Sequence, residues 1–297
     1  MVAASGEATD IMLRKFFTEW SDVSMETSLP PTEQQNPRSA GLGELDATGV
    51  IALMDAEEGL IARAVQSAAA EIAAVAEALA RCFLEGGRVV LVGGGTSGHL
   101  VVQEVAELGP TFGVPAGRFV AMVASGTLVG APVVTADEDD VTAAVEGLAA
   151  LAVGAGDVVV GVAASGSTPF TLSAVVNARR RGATTAGVAN NAGSPLLRQT
   201  SLPVLLDTGP EILTGSSRLK AGSAQKAALN RMTMAAMVLA GRVRSNYMVD
   251  LRGTNDKLRA RATRIVADLS GADTPTARAA LERSDWQVRA ALDLLSC

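Results

Sequence analysis

Two stretches of this chain constrain its fold more than any others. Residues 89–98 read VVLVGGGTSG, and residues 158–168 read VVVGVAASGST. Each begins as a continuous apolar run of β-formers, the pattern of a strand covered on both faces in a parallel sheet. Each run then stops at glycines, which let the backbone turn sharply and approach a ligand closely. Hydroxyl side chains follow where a helix should begin: Thr96 and Ser97 in the first loop, Ser165, Ser167 and Thr168 in the second. A helix N-terminus offers unpaired N–H groups and the positive end of the helix dipole, so both loops read as phosphate cradles. Two hydroxyl-rich loops in one domain point to a sugar phosphate.

Between and beyond these loops strands and helices alternate. Strands are expected at Val89–Val92, Phe119–Val123, Val158–Ala163, Thr184–Val188 and Leu202–Leu206. Helical spacing of apolar residues fills 50–84, with a break expected near Glu57–Gly59, and recurs at 100–108, 141–150, 172–181, 225–239 and 258–269. This alternation predicts an α/β fold: a five-stranded parallel sheet flanked by helices, with ligands at the carboxyl ends of the strands. Residues 1–30 read as an N-terminal extension, with a short amphipathic helix at Ile11–Trp20, and 31–270 as the sugar-phosphate domain. Residues 271–297 read as a small helical module that needs the body to pack against. Thr32–Asp46 is a polar segment without helical periodicity and reads first as a solvated connector; the alternative is a functional loop whose Glu33, Asn36, Arg38 and Ser39 reach a ligand or a neighbouring subunit.

Composition narrows the function classes. Aromatic residues make up only 3% of the chain and the net charge is −6, which argues against nucleic acid as a partner. No apolar run is long enough for a membrane span, and the N-terminus lacks the pattern of a secretory signal. The two cysteines, Cys82 and Cys297, form no disulfide framework or zinc spacing, which fits a reducing cytoplasm. A metal site or nucleophilic triad using histidine could only be built around His99, the single histidine, and no metal is expected.

Further segments carry a resemblance. They are TExxNPxSxxxxxLD at Thr32–Asp46, GGTSG at Gly94–Gly98, ExxPTFG at Glu107–Gly113 and DVVVGVAASGSTPF at Asp157–Phe170. GPEILTGSSRLKAGSAQK at Gly209–Lys226 and NYMVDLRGTNDKL at Asn246–Leu258 complete the set, and Gly209–Lys226 is the most specific of them. From about residue 30 onward the chain resembles the N-acetylmuramic acid 6-phosphate etherases, built on the sugar isomerase (SIS) fold and related to the glucokinase regulatory protein. The C-terminal module resembles the small ubiquitin-associated-like module that ends these etherases.

The resemblance implies a lyase acting on a phosphorylated amino sugar, in amino sugar catabolism and peptidoglycan recycling, without a cofactor. It would cleave the D-lactyl ether of N-acetylmuramic acid 6-phosphate by elimination and hydration, giving N-acetylglucosamine 6-phosphate and D-lactate. Two carboxyls are needed: a base for the C2 proton of the open-chain aldehyde, and an acid for the departing lactate oxygen. The matching positions are Glu107, implied as the acid, and Glu138. Gly95, Thr96, Ser97, Ser165, Gly166, Ser167 and Thr168 would bind the phosphate, and Ser216, Ser217 and Lys220 would approach the sugar or phosphate. A homodimer with a shared active site is implied. The chain departs from the family pattern at His99 and Ser167, where arginines are usual, at Glu104, at Thr135, and at Asn190–Ala192 after the fourth strand. These departures leave open an isomerase or lyase of another sugar phosphate, and a non-catalytic sugar-phosphate sensor.

Overall fold

A computed structural model describes residues 29–124 and 138–296. The helix expected at Ile11–Trp20, and Thr135, lie outside the described residues. Five parallel strands, β1 (Val89–Gly93), β2 (Phe119–Val123), β3 (Val158–Val162), β4 (Thr184–Ala189) and β5 (Leu202–Leu205), form one sheet in the order β2-β1-β3-β4-β5. The direction of winding reverses between β1 and β3, which places a crevice at their carboxyl ends. The register brings the ends level, with Gly93 paired to Val162. Both hydroxyl loops therefore leave the sheet side by side.

Strand residues alternate between two cores. Val89 and Leu91 face one side with Val158, Val160 and Val162, packed by helices α2 (Ala69–Leu84), α3 (Gly95–Phe112) and α7 (Lys220–Leu239). Val90, Val92 and Val159 face the other, packed by α4 (Val141–Ala150), α5 (Pro169–Arg180) and α6 (Pro195–Gln199). Covering both faces removes the apolar–polar alternation of a half-exposed sheet, which is why the strands read as unbroken apolar runs.

Helix α1 (Ala47–Ser67) runs unbroken through Glu57–Gly59, and the chain bends at Ala68 instead. The expected break fails because Glu57 is not a solvated residue at a helix end; it is 2% exposed and bonded on three sides. Asp46 caps α1, its carboxylate accepting from the Gly49 N–H at 2.8 Å. Thr32–Asp46 is a series of short 3-10 turns, one of them capped by the Asn36 side chain.

After α7 a two-stranded ribbon, β6 (Val243–Arg244) with β7 (Tyr247–Met248), leads to α8 (Asp256–Ser270), α9 (Thr274–Arg283) and α10 (Val288–Leu295). These three helices share one apolar core with Val249 and Leu251, including Ile265, Leu281 and Leu292. The helical cluster thus starts well before residue 271, because α8 turns its apolar stripe to α9 and α10. Arg289 pairs with Asp250 at 2.7 Å and donates to the Gly241 carbonyl, tying this cluster to the end of α7.

Candidate active site

The two loops open into one cavity of about 390 Å³ at the carboxyl end of the sheet. Gly94, Gly95, Thr96, Ser97 and His99 come from the first loop and the start of α3. Ala163, Ala164, Ser165 and Thr168 come from the second, Thr32 and Glu33 from the segment before α1, and Ser217 from the loop before α7. Glu138 completes the lining. The volume suits a small polar ligand.

The loops meet the expectation of a phosphate cradle by two routes. Helix α3 starts at Gly95, so its first N–H groups have no partner within the helix; α5 starts at Pro169, with Thr168 as its cap residue. Ser165 Oγ accepts from the Ser167 N–H at 3.1 Å, which folds the second loop back on itself and leaves the Ser165 hydrogen for a ligand. Gly166 adopts φ +69°, and a Cβ there would lie 2.2 Å from Ser194 Oγ. Among the described lining residues His99 is the sole basic side chain, so hydroxyls and helix termini must meet most of an anionic ligand's charge.

Glu138 lies over the first loop. A Cβ on Gly94 would sit 3.0 Å from Glu138 Cγ, and one on Gly95, at φ +49°, only 2.6 Å from Glu138 Oε1. Only glycines allow the carboxylate this close to the start of α3. Burial pushes its pKa up, and the neighbouring charge of Asp139 adds to the rise. Gly95→Ala is expected to displace the carboxylate and lower turnover by about 10²-fold. Gly117, at φ +80° with no atom within 4 Å of where a Cβ would lie, is the control. Gly117→Ala introduces the same kind of backbone strain, and steady-state assays should find its turnover near wild type.

The other expected site residues divide. Gly95, Thr96, Ser97, Ser165, Thr168, Ser217 and Glu138 line the cavity; Gly166 shapes the loop from behind, and Ser167 and Ser216 are not part of the lining. Lys220 does not face the cavity either. Its side chain is 6% exposed, paired with Glu57 and donating to the Pro210 carbonyl at 2.7 Å. Glu107 is exposed on α3, twelve residues beyond Gly95, which at the helical rise is roughly 18 Å along the axis. Within one chain Glu107 and Glu138 stand at opposite ends of that helix.

Several supporting residues were not legible from local pattern. Asn191 exchanges two hydrogen bonds with Thr32, its carbonyl accepting from the Thr32 N–H and its amide donating to Thr32 Oγ1. The same amide donates to the Ser165 carbonyl at 3.3 Å, which holds the Thr32–Glu33 segment against the second loop. Glu211, fully buried, accepts from the N–H groups of Lys220 and Ala221 and so caps α7. The Asn190–Asn191 pair after β4 was the visible signal, since two adjacent amides at a strand end invite backbone bonding.

Comparisons with known proteins agree with this architecture. Residues 54–190 match the SIS domain, and residues 245–295 match the C-terminal lid domain of glucokinase regulatory protein. The chain is 46% identical over 264 residues to the N-acetylmuramic acid 6-phosphate etherase of Deinococcus radiodurans, covering 89% of this chain and 87% of that one. It is 43% identical over 261 residues to the etherase of Rubrobacter xylanophilus, covering 88% and 87%. A solved structure of a protein from E. coli CFT073 shares the fold, with a TM-score of 0.50 at 20% identity over 68% of this chain and 97% of that one. With etherase identity of 46% and 43% sustained over nearly the whole length, the chain belongs to the N-acetylmuramic acid 6-phosphate etherase family.

Proposed function

We propose that the cavity binds N-acetylmuramic acid 6-phosphate in its open-chain form and cleaves its D-lactyl ether. The observation that carries this reading is Glu138: a carboxylate of raised pKa held directly over a hydroxyl-lined anion cradle. Glu138 takes the C2 proton. The electron pair left at C2 forms the C2–C3 double bond as the C3–O bond breaks, and a carboxylic acid delivers a proton to the lactate oxygen. Water then adds at C3 while a proton returns to C2, giving N-acetylglucosamine 6-phosphate. The same two carboxyls serve both halves, each in reverse.

Glu107 is the second carboxyl in this reading, and it acts from another copy of the chain. Its exposure and its distance along α3 support a homodimer in which Glu107 of each copy enters the cavity of the other. No described helix is long and apolar enough to cross a membrane.

The test is to incubate the purified protein with N-acetylmuramic acid 6-phosphate and assay D-lactate. Release above the buffer control is expected; none would sink the proposal. The pH profile adds a second readout. A base must be ionised, so kcat falls as pH drops through the Glu138 pKa, and the raised pKa sets this acid limb above the ordinary glutamate value of 4.5. Asp139→Asn removes part of the cause and should move the limb to lower pH; an unmoved limb would assign it to another group.

A further inference from the structure

Among the described residues, six hydroxyl side chains line the cavity: those of Thr32, Thr96, Ser97, Ser165, Thr168 and Ser217. Ser97 is distinguished by what lies behind it. Its Oγ is 2.8 Å from Gln225 Oε1, and Gln225 is 1% exposed. Gln225 Nε2 donates to Asn190 Oδ1 at 3.0 Å, and Asn190 Nδ2 donates to the Leu206 carbonyl at 2.8 Å.

The last of these bonds fixes the direction of all three. A backbone carbonyl can only accept, so the Asn190 amide nitrogen must face Leu206 and its oxygen must face Gln225. Gln225 must then turn its nitrogen to Asn190 and its oxygen to Ser97. An amide oxygen also only accepts, so the single Ser97 hydrogen is committed to Gln225. Ser97 turns lone pairs, not a hydrogen, to the ligand. Reversing it would strand a buried amide oxygen without a donor.

Resting on the reading of the cavity as a sugar-phosphate site, we infer that Ser97 does not hold the phosphate through its hydroxyl. It accepts a hydrogen bond from a hydroxyl or amide N–H of the sugar. Gln225 and Asn190 are the positioning residues that set this polarity. A dianionic phosphate oxygen has no hydrogen to offer Ser97, so the phosphate sits at Ser165, Thr168, Thr96 and the helix N–H groups. The relay makes the first loop a reader of the sugar's donors and leaves the second loop as the main anion seat.

Calorimetric titration with two probes separates the roles: inorganic phosphate, and N-acetylglucosamine 6-phosphate. Ser97→Ala is expected to weaken the sugar phosphate by about tenfold and to leave inorganic phosphate within about twofold. Gln225→Met frees the Ser97 hydrogen and should tighten phosphate while weakening the sugar phosphate. A general loosening of the fold would lower both affinities together, so the ratio is the diagnostic quantity. Equal weakening of both probes by Ser97→Ala would overturn the inference. Failure of the wild-type protein to bind either probe would overturn the reading of the cavity itself.

Discussion

Glu107→Gln and Glu138→Gln, each almost inactive alone, should regain about a quarter of wild-type turnover when the two variants are unfolded together and refolded as a mixture. In the proposed mechanism each substitution removes one proton-transfer group, and such groups contribute roughly 10²–10⁴-fold. In the proposed homodimer, random pairing makes about half of the dimers mixed. In a mixed dimer with a shared site, one cavity combines an intact Glu138 with an intact Glu107 from the other copy, and the second cavity lacks both. If each cavity used its own Glu107, every cavity in the mixture would lack one group and no activity would return. The geometry favours the first outcome because α3 holds Glu107 roughly 18 Å along its axis from the loop that Glu138 covers, a span no glutamate side chain crosses. Substrate affinity of the single variants should stay close to wild type, since glutamine keeps the shape of the side chain.

The largest effect on stability is expected from Glu57→Ala, about 3–5 kcal/mol, a sizeable share of a typical folding free energy. Glu57 is the hub of a buried group. Lys220 pairs with its carboxylate, Asn36 Nδ2 donates to it at 3.0 Å, and Arg38 Nη1 approaches it at 3.3 Å. Burial alone would raise its pKa, but the Lys220 ammonium, the Asn36 amide and the Arg38 charge outweigh it and hold the carboxyl below its ordinary value. Removing the carboxylate strands the Lys220 ammonium with the Pro210 carbonyl and leaves the Asn36 amide nitrogen only that same carbonyl, at 3.3 Å. Denaturant unfolding of Glu57→Ala, beside a Glu57→Met/Lys220→Met double variant, measures this directly. The double variant should recover much of the loss because no unpaired charge remains. If Glu57→Ala unfolded like wild type, Glu57 would not be the hub of this buried group.

The pH dependence follows from the same pair. A carboxyl whose folded pKa lies below its unfolded one stabilises the fold above the ordinary value of 4.5, and that contribution disappears as pH falls through the folded pKa. The acid side of the stability profile should therefore be shallower in the double variant. Glu138, shifted upward, acts in the opposite sense, because its burial favours the protonated form in the folded state.

Periodicity and loop chemistry made the scaffold legible. The strand runs appear within a residue or two of their expected places because a buried parallel strand shows itself through a local apolar run. The helices α3 and α5 are longer than expected at their starts, since glycine and proline mask the N-terminal turns they occupy. The break expected at Glu57–Gly59 was misplaced for a tertiary reason. A glutamate and a glycine in a helical stretch look like a solvated interruption until Lys220, 163 residues away, is found buried against that glutamate.

The sequence by itself determined the five strands, the two hydroxyl loops, the segments shared with the etherases, and Glu107 and Glu138 as the carboxyls to consider. Each is carried by adjacent residues or by matched spacing. Tertiary structure decided what those groups face. It set Glu138 over Gly94 and Gly95, left Glu107 exposed at the far end of α3, and withdrew Lys220 from the cavity into a pair with Glu57. It also fixed the direction of the Ser97 hydroxyl through Gln225, 128 residues distant, and Asn190. Hydrogen-bond direction and charge pairing depend on partners brought together only by the fold, and no local pattern of residues records them.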